Sequence, residues 1–173
     1  MAFEPRLTPN TPTPMMNNPW WYSTGNPYYP TFQLPNCTCY TYGRIGEIND
    51  GFISLPQDDA QNWWDRYSPN VQKSNIPQVG SIINFGGNGT SGYGHVAVVE
   101  VINSDGSIIT SNSGYNASYF WTDTLRPENN YIAPWMQDPQ WNLYFQGFAW
   151  VFDTPPTPTT RKGLPIWMMT RKF

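Results

Sequence analysis

Three side chains in this sequence of 173 residues combine naturally into chemistry: Cys37 and Cys39, its only cysteines, and His95, its only histidine. The cysteines share one stretch, "LPNCTCYTYGRIG" (34–46), separated by a single threonine. A disulfide between them would close a very small strained ring, and on a helix the two side chains point roughly 200° apart. A structural zinc needs about four ligands, and the cysteines and histidine supply three. A nucleophilic thiol has more physics behind it. A thiol in the first turn of a helix feels the positive end of the macrodipole, which is expected to favour thiolate and lower its pKa. Cys37 directly follows Asn36, a good N-cap, whereas Cys39 lies further in and on another face. A cysteine nucleophile wants a histidine and a third group to orient that histidine. From residue types alone, a structural histidine and a cysteine packed as a small hydrophobe stay open as alternatives.

The elements that would position these groups can be read from period and punctuation. Residues 1–35 are punctuated by proline ("TPNTPTP", "NNPWWYSTGNPYYPTFQLP"), which biases the preceding residues towards extended conformations and argues against a helix. The aromatics of this arm, Trp20, Trp21, Tyr22, Tyr28 and Tyr29, are expected to pack over the domain or to line a groove. Pro35 and Asn36 open a helix over "CTCYTYGRIGEI". A second helix is expected at "QDDAQNWWDRY", with Asp58 or Asp59 as cap and Trp63, Trp64 and Tyr67 as an apolar patch. After Pro77 the period changes to that of strands: 81–85, 95–102, 106–113 and 147–152. "NSDG" makes a hairpin turn between the second and third, and "GGNGTSGYG" (86–94) separates the first two. Helices followed by adjacent strands indicate an α+β fold with an antiparallel sheet. His95 stands where the glycine-rich loop enters a β-branched strand. Glu100, at an odd offset from it, belongs to the opposite face.

Composition sets the outer limits. With 12% charged and 17% aromatic residues the chain lacks the disordered signature, and its length suits one domain with a real core. Charge is uneven: the segment from Arg161 onward has four bases and no acid, while the rest carries twelve acids against five bases. An acidic body argues against nucleic acid as a partner. No apolar run approaches the ~18 to 20 residues of a membrane span. "MAFEPRLTPN" lacks the basic start and apolar stretch of a signal peptide.

Together these residues resemble a known family. "NCTCYTYGR" resembles the nucleophile motif of CHAP domains (cysteine, histidine-dependent amidohydrolase/peptidase), in which cysteine precedes Thr-x-Tyr. "VGSIINF" and "GYGHVAVVEVINSDGSIITSNSGYN" are similar to its second signature, with the histidine opening a strand, and "FQGFAWVF" resembles its closing strand. The resemblance covers about residues 20–153. It implies an α+β, papain-like fold with N-terminal helices packed on a small antiparallel β-sheet. The expected division is an extended arm over 1–19, a catalytic domain over 20–153, and a Pro/Thr linker with a basic-aromatic tail over 154–173.

The resemblance further implies Cys37 as nucleophile and His95 as general base. The family's habit is a glutamate on the third strand to orient the histidine. Here Asn112 stands at that position and Gly114 at the asparagine that follows. An asparagine carbonyl can accept the imidazole N–H but brings no negative charge. The Cys37 backbone N–H is expected to hold the oxyanion, helped by the Asn36 side chain. Tyr93, Tyr115 and Trp121, with the Trp63–Trp64 pair, are candidate walls of the substrate groove, and Cys39 is a packing residue. No cofactor or metal is implied. Some relatives bind calcium through acids just ahead of the cysteine, and this chain has none between Met15 and Asn36.

The implied substrate is bacterial peptidoglycan, cut at the N-acetylmuramoyl-L-alanine amide or at a stem or cross-bridge peptide bond. Without a signal peptide, such an enzyme is expected to be a phage or prophage lysin released by a holin or carried in a virion. The tail could contact anionic wall polymer or membrane through its cations and Ile166, Trp167, Met168 and Met169. The rival readings are a non-catalytic phage structural or wall-binding protein with a degenerate domain, and a secreted cysteine peptidase acting on protein.

Overall fold

In the computed structural model, residues 3–8, 19–23, 25–115, 117 and 120–152 are described. The linker and tail expected over 154–173, and most of the arm expected over 1–19, lie outside them. Among the described residues, two helices come first, α1 (Cys37–Asn49) and α2 (Ala60–Arg66). Six strands follow: β1 (Gln72–Ser74), β2 (Ile82–Gly87), β3 (His95–Ile102), β4 (Ile108–Asn112), β5 (Trp121–Leu125) and β6 (Leu143–Trp150). They form one sheet in the order β1-β6-β2-β3-β4-β5, with every neighbouring pair antiparallel. This is the α+β, papain-like arrangement anticipated from the sequence. Two of its strands, β1 and β5, were not anticipated.

The sheet has a core on each side, as alternation along β3 requires. Val96 and Val98 join Ile82 and Ala149 against the helices, with Trp21, Tyr28, Tyr40, Ile45 and Trp63. Ala97 and Val99 face the other way, towards Phe85, Phe148, Tyr131 and Met136. The aromatic arm is therefore largely core. Trp21 is fully buried, donates its indole N–H to the Tyr40 carbonyl at 3.0 Å, and stacks on the Tyr40 ring. Its indole occupies the space beside Gly43, where a Cβ would lie 2.4 Å from Nε1. Burying one such side chain removes on the order of 4–6 kcal/mol worth of apolar surface from water.

Helix α1 is fixed at both ends. Asn36 Oδ1 accepts from the backbone N–H of Thr38 (2.9 Å) and of Cys39 (3.0 Å), satisfying two of the four orphan donors of the first turn. Further along, the buried Arg44 clamps Glu100 of β3, its guanidinium donating at 2.9 and 2.8 Å. The same arginine pairs with Glu47 and donates to the Glu4 carbonyl, while the Arg6 backbone N–H bonds Glu100. This network ties the N-terminal segment, α1 and β3 into one body. It also accounts for Glu100, which points away from His95 as its offset predicts.

Candidate active site

The start of α1 and the start of β3 meet at one end of the sheet. Cys37, the first residue of α1, is half-buried and lines the same cleft as His95, with the backbone N–H groups of Val96, Thr38 and Cys37 itself placed to favour its thiolate. The Asn36 N–H donates to Ser113 Oγ at 3.1 Å, fastening the helix start to the residue after Asn112. Gly94, at φ +68°, delivers His95 into this corner. A Cβ there would lie 2.5 Å from the Phe85 carbonyl and 2.6 Å from the Gln61 nitrogen, so both conformation and space require glycine.

Asn112 is fully buried at the end of β4, with Oδ1 3.2 Å from His95 Nε2. Its amide orientation is set independently, because Nδ2 donates to the Thr110 carbonyl (3.3 Å) and Thr110 Oγ1 (3.1 Å). A carbonyl only accepts, so Nδ2 must face it and Oδ1 must face the histidine. His95 therefore carries its proton on Nε2, and Nδ1 keeps a lone pair for a thiol proton. The ring is enclosed by aromatics: Trp121 stacks at 6.1 Å, Phe85 at 6.3 Å, and Trp135 meets it edge-on at 5.4 Å.

Electrostatics correct one expectation. Burial pushes the Cys37 thiol up to about 11, outweighing the three backbone N–H groups that favour thiolate, and the charge of Asp59 raises it further. The helix end does not make this a resting thiolate. Burial lowers the His95 pKa, against the opposing pull of Asn112 and the charge of Asp123. Thiol and imidazole both rest neutral, so His95 must take the proton as the sulfur attacks.

Cys37 and His95 line one open cleft of about 1280 Å³. Asn36, the expected oxyanion helper, and Tyr93, Tyr115 and Trp121, the expected wall residues, line it too. Tyr93 and Tyr115 are exposed at its rim, 59% and 64%, whereas Trp121 is packed on the histidine. Asn36 serves as the helix cap through Oδ1, which leaves Nδ2 as the part of its side chain available for an oxyanion. The Trp63–Trp64 pair does not line the cleft. Trp63 is fully buried against Tyr28 and Tyr67, and Trp64 lies over Lys73. Cys39 is fully buried and unpaired, as a packing residue should be. Among the described residues, no group of three or more His, Cys, Asp or Glu could hold a metal ion.

Sequence reasoning missed Phe32, Asp59, Asp123 and Trp135, all of which line the cleft. For Asp123 a signal existed: "WTD" alternation puts Trp121 and Asp123 on one face of a strand. Trp135 sits in a short 3₁₀ turn (Pro134–Gln137), and no pattern in the sequence aims it at His95.

Comparisons with known proteins bear on the same stretch. The staphylococcal secretory antigen SsaA of Staphylococcus aureus is 36% identical over 96 residues, covering 54% of this chain and 33% of that protein. The N-acetylmuramoyl-L-alanine amidase sle1 of Staphylococcus epidermidis is 37% identical over 105 residues, covering 54% and 30%. The chain thus spans about a third of the length of these relatives. A crystal structure of an N-acetylmuramoyl-L-alanine amidase from Staphylococcus aureus superposes with a TM-score of 0.49 at 28% identity, over 68% of this chain and 33% of that one. The CHAP domain model matches residues 23–114, more than half of the sequence and a span that holds Cys37, His95 and Asn112 together; the chain belongs to the CHAP domain family.

Proposed function

We propose that this domain hydrolyses an amide bond of bacterial peptidoglycan through a thioester on Cys37. The observation that carries the reading is the 3.2 Å contact of Asn112 Oδ1 with His95 Nε2, with the Asn112 amide oriented by Thr110. Asn112 holds the proton on Nε2 and leaves Nδ1 basic, in a cleft shared with a thiol at a helix N-terminus. Cys37 Sγ attacks the carbonyl carbon while His95 takes the thiol proton. The carbonyl oxygen gathers negative charge at the start of α1, where the Cys37 N–H and Asn36 Nδ2 are the candidate donors. His95 returns the proton to the departing nitrogen, the C–N bond breaks, and the acyl group remains on sulfur. Water, deprotonated by His95, then adds to the thioester, releasing the carboxylic acid and restoring the thiol. The residues present complete this cycle without a cofactor.

The name of the sle1 relative favours the N-acetylmuramoyl-L-alanine bond over a stem or cross-bridge bond. Mass spectrometry of fragments released from purified walls tests both levels. An amidase releases peptides with a free N-terminal alanine and leaves glycan bearing free lactyl carboxyls. Cuts within the stem would assign an endopeptidase instead. Walls that bind the protein but release nothing would overturn the hydrolase reading in favour of a binding module. For delivery, the reading is a phage or prophage lysin released by a holin or carried in a virion. Lysis from outside by intact virions, against lysis only with a co-expressed holin, separates the two routes.

A further inference from the structure

We propose that Asp123 is a positioning residue for His95: its carboxylate clamps the two indoles that box the imidazole and places beside it the negative charge that Asn112 lacks. This rests on the assignment of His95 as the base. The geometry is specific. Asp123 Oδ2 accepts from the indole N–H of Trp121 at 2.9 Å and of Trp135 at 3.2 Å. These two rings, one stacked and one edge-on, are two of the three that meet His95, and they meet each other at 6.0 Å and 78°. Trp121 is also the register partner of Asn112 across β4 and β5, so one strand pair sets both the Nε2 acceptor and the stacked wall.

The carboxylate has no other evident purpose. It is half-buried, and among the described residues no lysine or arginine pairs with it. A cation forms in the same cleft each time His95 takes the thiol proton, and a carboxylate there without a cation of its own is placed to favour it. The titratable groups facing His95 are Cys37 from α1 and Asp123 from β5. Phe85 of β2, Asn112 of β4 and Trp135 of the 134–137 turn do not ionise, and Glu100 lies on the opposite face of β3. Asp58, Asp59, Tyr93 and Tyr115 line the same cleft, with Asp58 already paired to Arg66. The charge of Asp123 acts to raise the His95 pKa against the burial that lowers it.

Because both indoles bond a single oxygen, Asp123→Asn keeps an acceptor for them and removes only the charge, whereas Asp123→Ala removes both. His95 is the sole histidine, so its C2 proton can be followed unambiguously by NMR. Asp123→Asn should lower the His95 pKa. On walls it should lower kcat by about threefold to tenfold with KM little changed, and move the acid limb of kcat/KM to lower pH. Asp123→Ala should lose more and disturb tryptophan fluorescence. An Asn variant with the wild-type titration and pH profile, beside an impaired Ala variant, would reduce Asp123 to a structural clamp and overturn the proposal. The NMR measurement needs no turnover. A wild type that releases nothing from walls would therefore refute the hydrolase reading while the titration still decides the role of Asp123.

Discussion

Replacing His95 with glutamine tests the claim that the dyad rests neutral. The thiol lies near 11 and the imidazole below 6.5, so moving a proton between them crosses at least about 4.5 pH units, about 6 kcal/mol. Two unit charges about 4 Å apart recover about 4 kcal/mol at an effective dielectric constant of 20. The ion pair is then disfavoured by at least about 2 kcal/mol, which populates it at no more than about 3%, independently of pH between the two titrations. Iodoacetamide should accordingly label wild-type Cys37 slowly and at a nearly constant rate from pH 7 to 9, rising beyond as the thiol ionises. In His95→Gln, which keeps the pocket filled, only direct ionisation remains, about one thiol in ten thousand at pH 7. Labelling should fall there, by up to about 300-fold, and climb about tenfold per pH unit. Peptide mapping by mass spectrometry separates Cys37 from the buried Cys39. The reasoning is refuted if wild type labels at its maximal rate at pH 7 and its histidine C2 proton reports imidazolium, because then burial does not set the resting state.

The structure fixes further outcomes. Arg44→Met strands the carboxylate of Glu100, which is 0% exposed, and should cost about 3–5 kcal/mol in urea unfolding; a loss below about 1 kcal/mol would show that the network is not what ties α1 to β3. Asn36→Ala removes the cap of α1 and should cost about 1 kcal/mol, or about 2–4 °C in Tm, while Asn36→Asp retains it. Cys37 and Cys39 both titrate above their ordinary 9.0, at about 11 and about 12. Raised values mean that their stabilising contribution is complete below pH 9 and is lost as pH rises through 11 to 12. Urea midpoints should therefore fall between pH 8 and pH 10.5, and Cys39→Ala should flatten that slope; a midpoint constant over this range would contradict the burial of both thiols.

Much of this site was legible because its anchors have strong local signatures. "PN" ahead of "CTC" marks a helix start, and Asn36 caps it as read. The β-branched run from His95 to Ile102 could only be a strand, and its alternation put Glu100 on the far side, where Arg44 holds it. Asn112 was placed by resemblance and meets His95 by geometry. What escaped depended on pairing distant in sequence. β1 is three residues long and exists through its register with β6, and the polar alternation of β5 through pairing with β4. The expected fall in the Cys37 pKa failed for the same reason: a local helix end was visible in the sequence, whereas the burial that outweighs it comes from the assembled cleft. Trp63 and Trp64 were candidate groove walls, but α2 lies on β2 and draws Trp63 into the core.

In the proposed mechanism one of the two neighbouring thiols does the work. Comparing Cys37→Ala with Cys39→Ala for release of soluble fragments from purified peptidoglycan, with folding of both checked by circular dichroism, separates them. Release should be abolished in Cys37→Ala and stay within a few-fold of wild type in Cys39→Ala. Release that survives the loss of Cys37, or that disappears only with Cys39, would contradict the account.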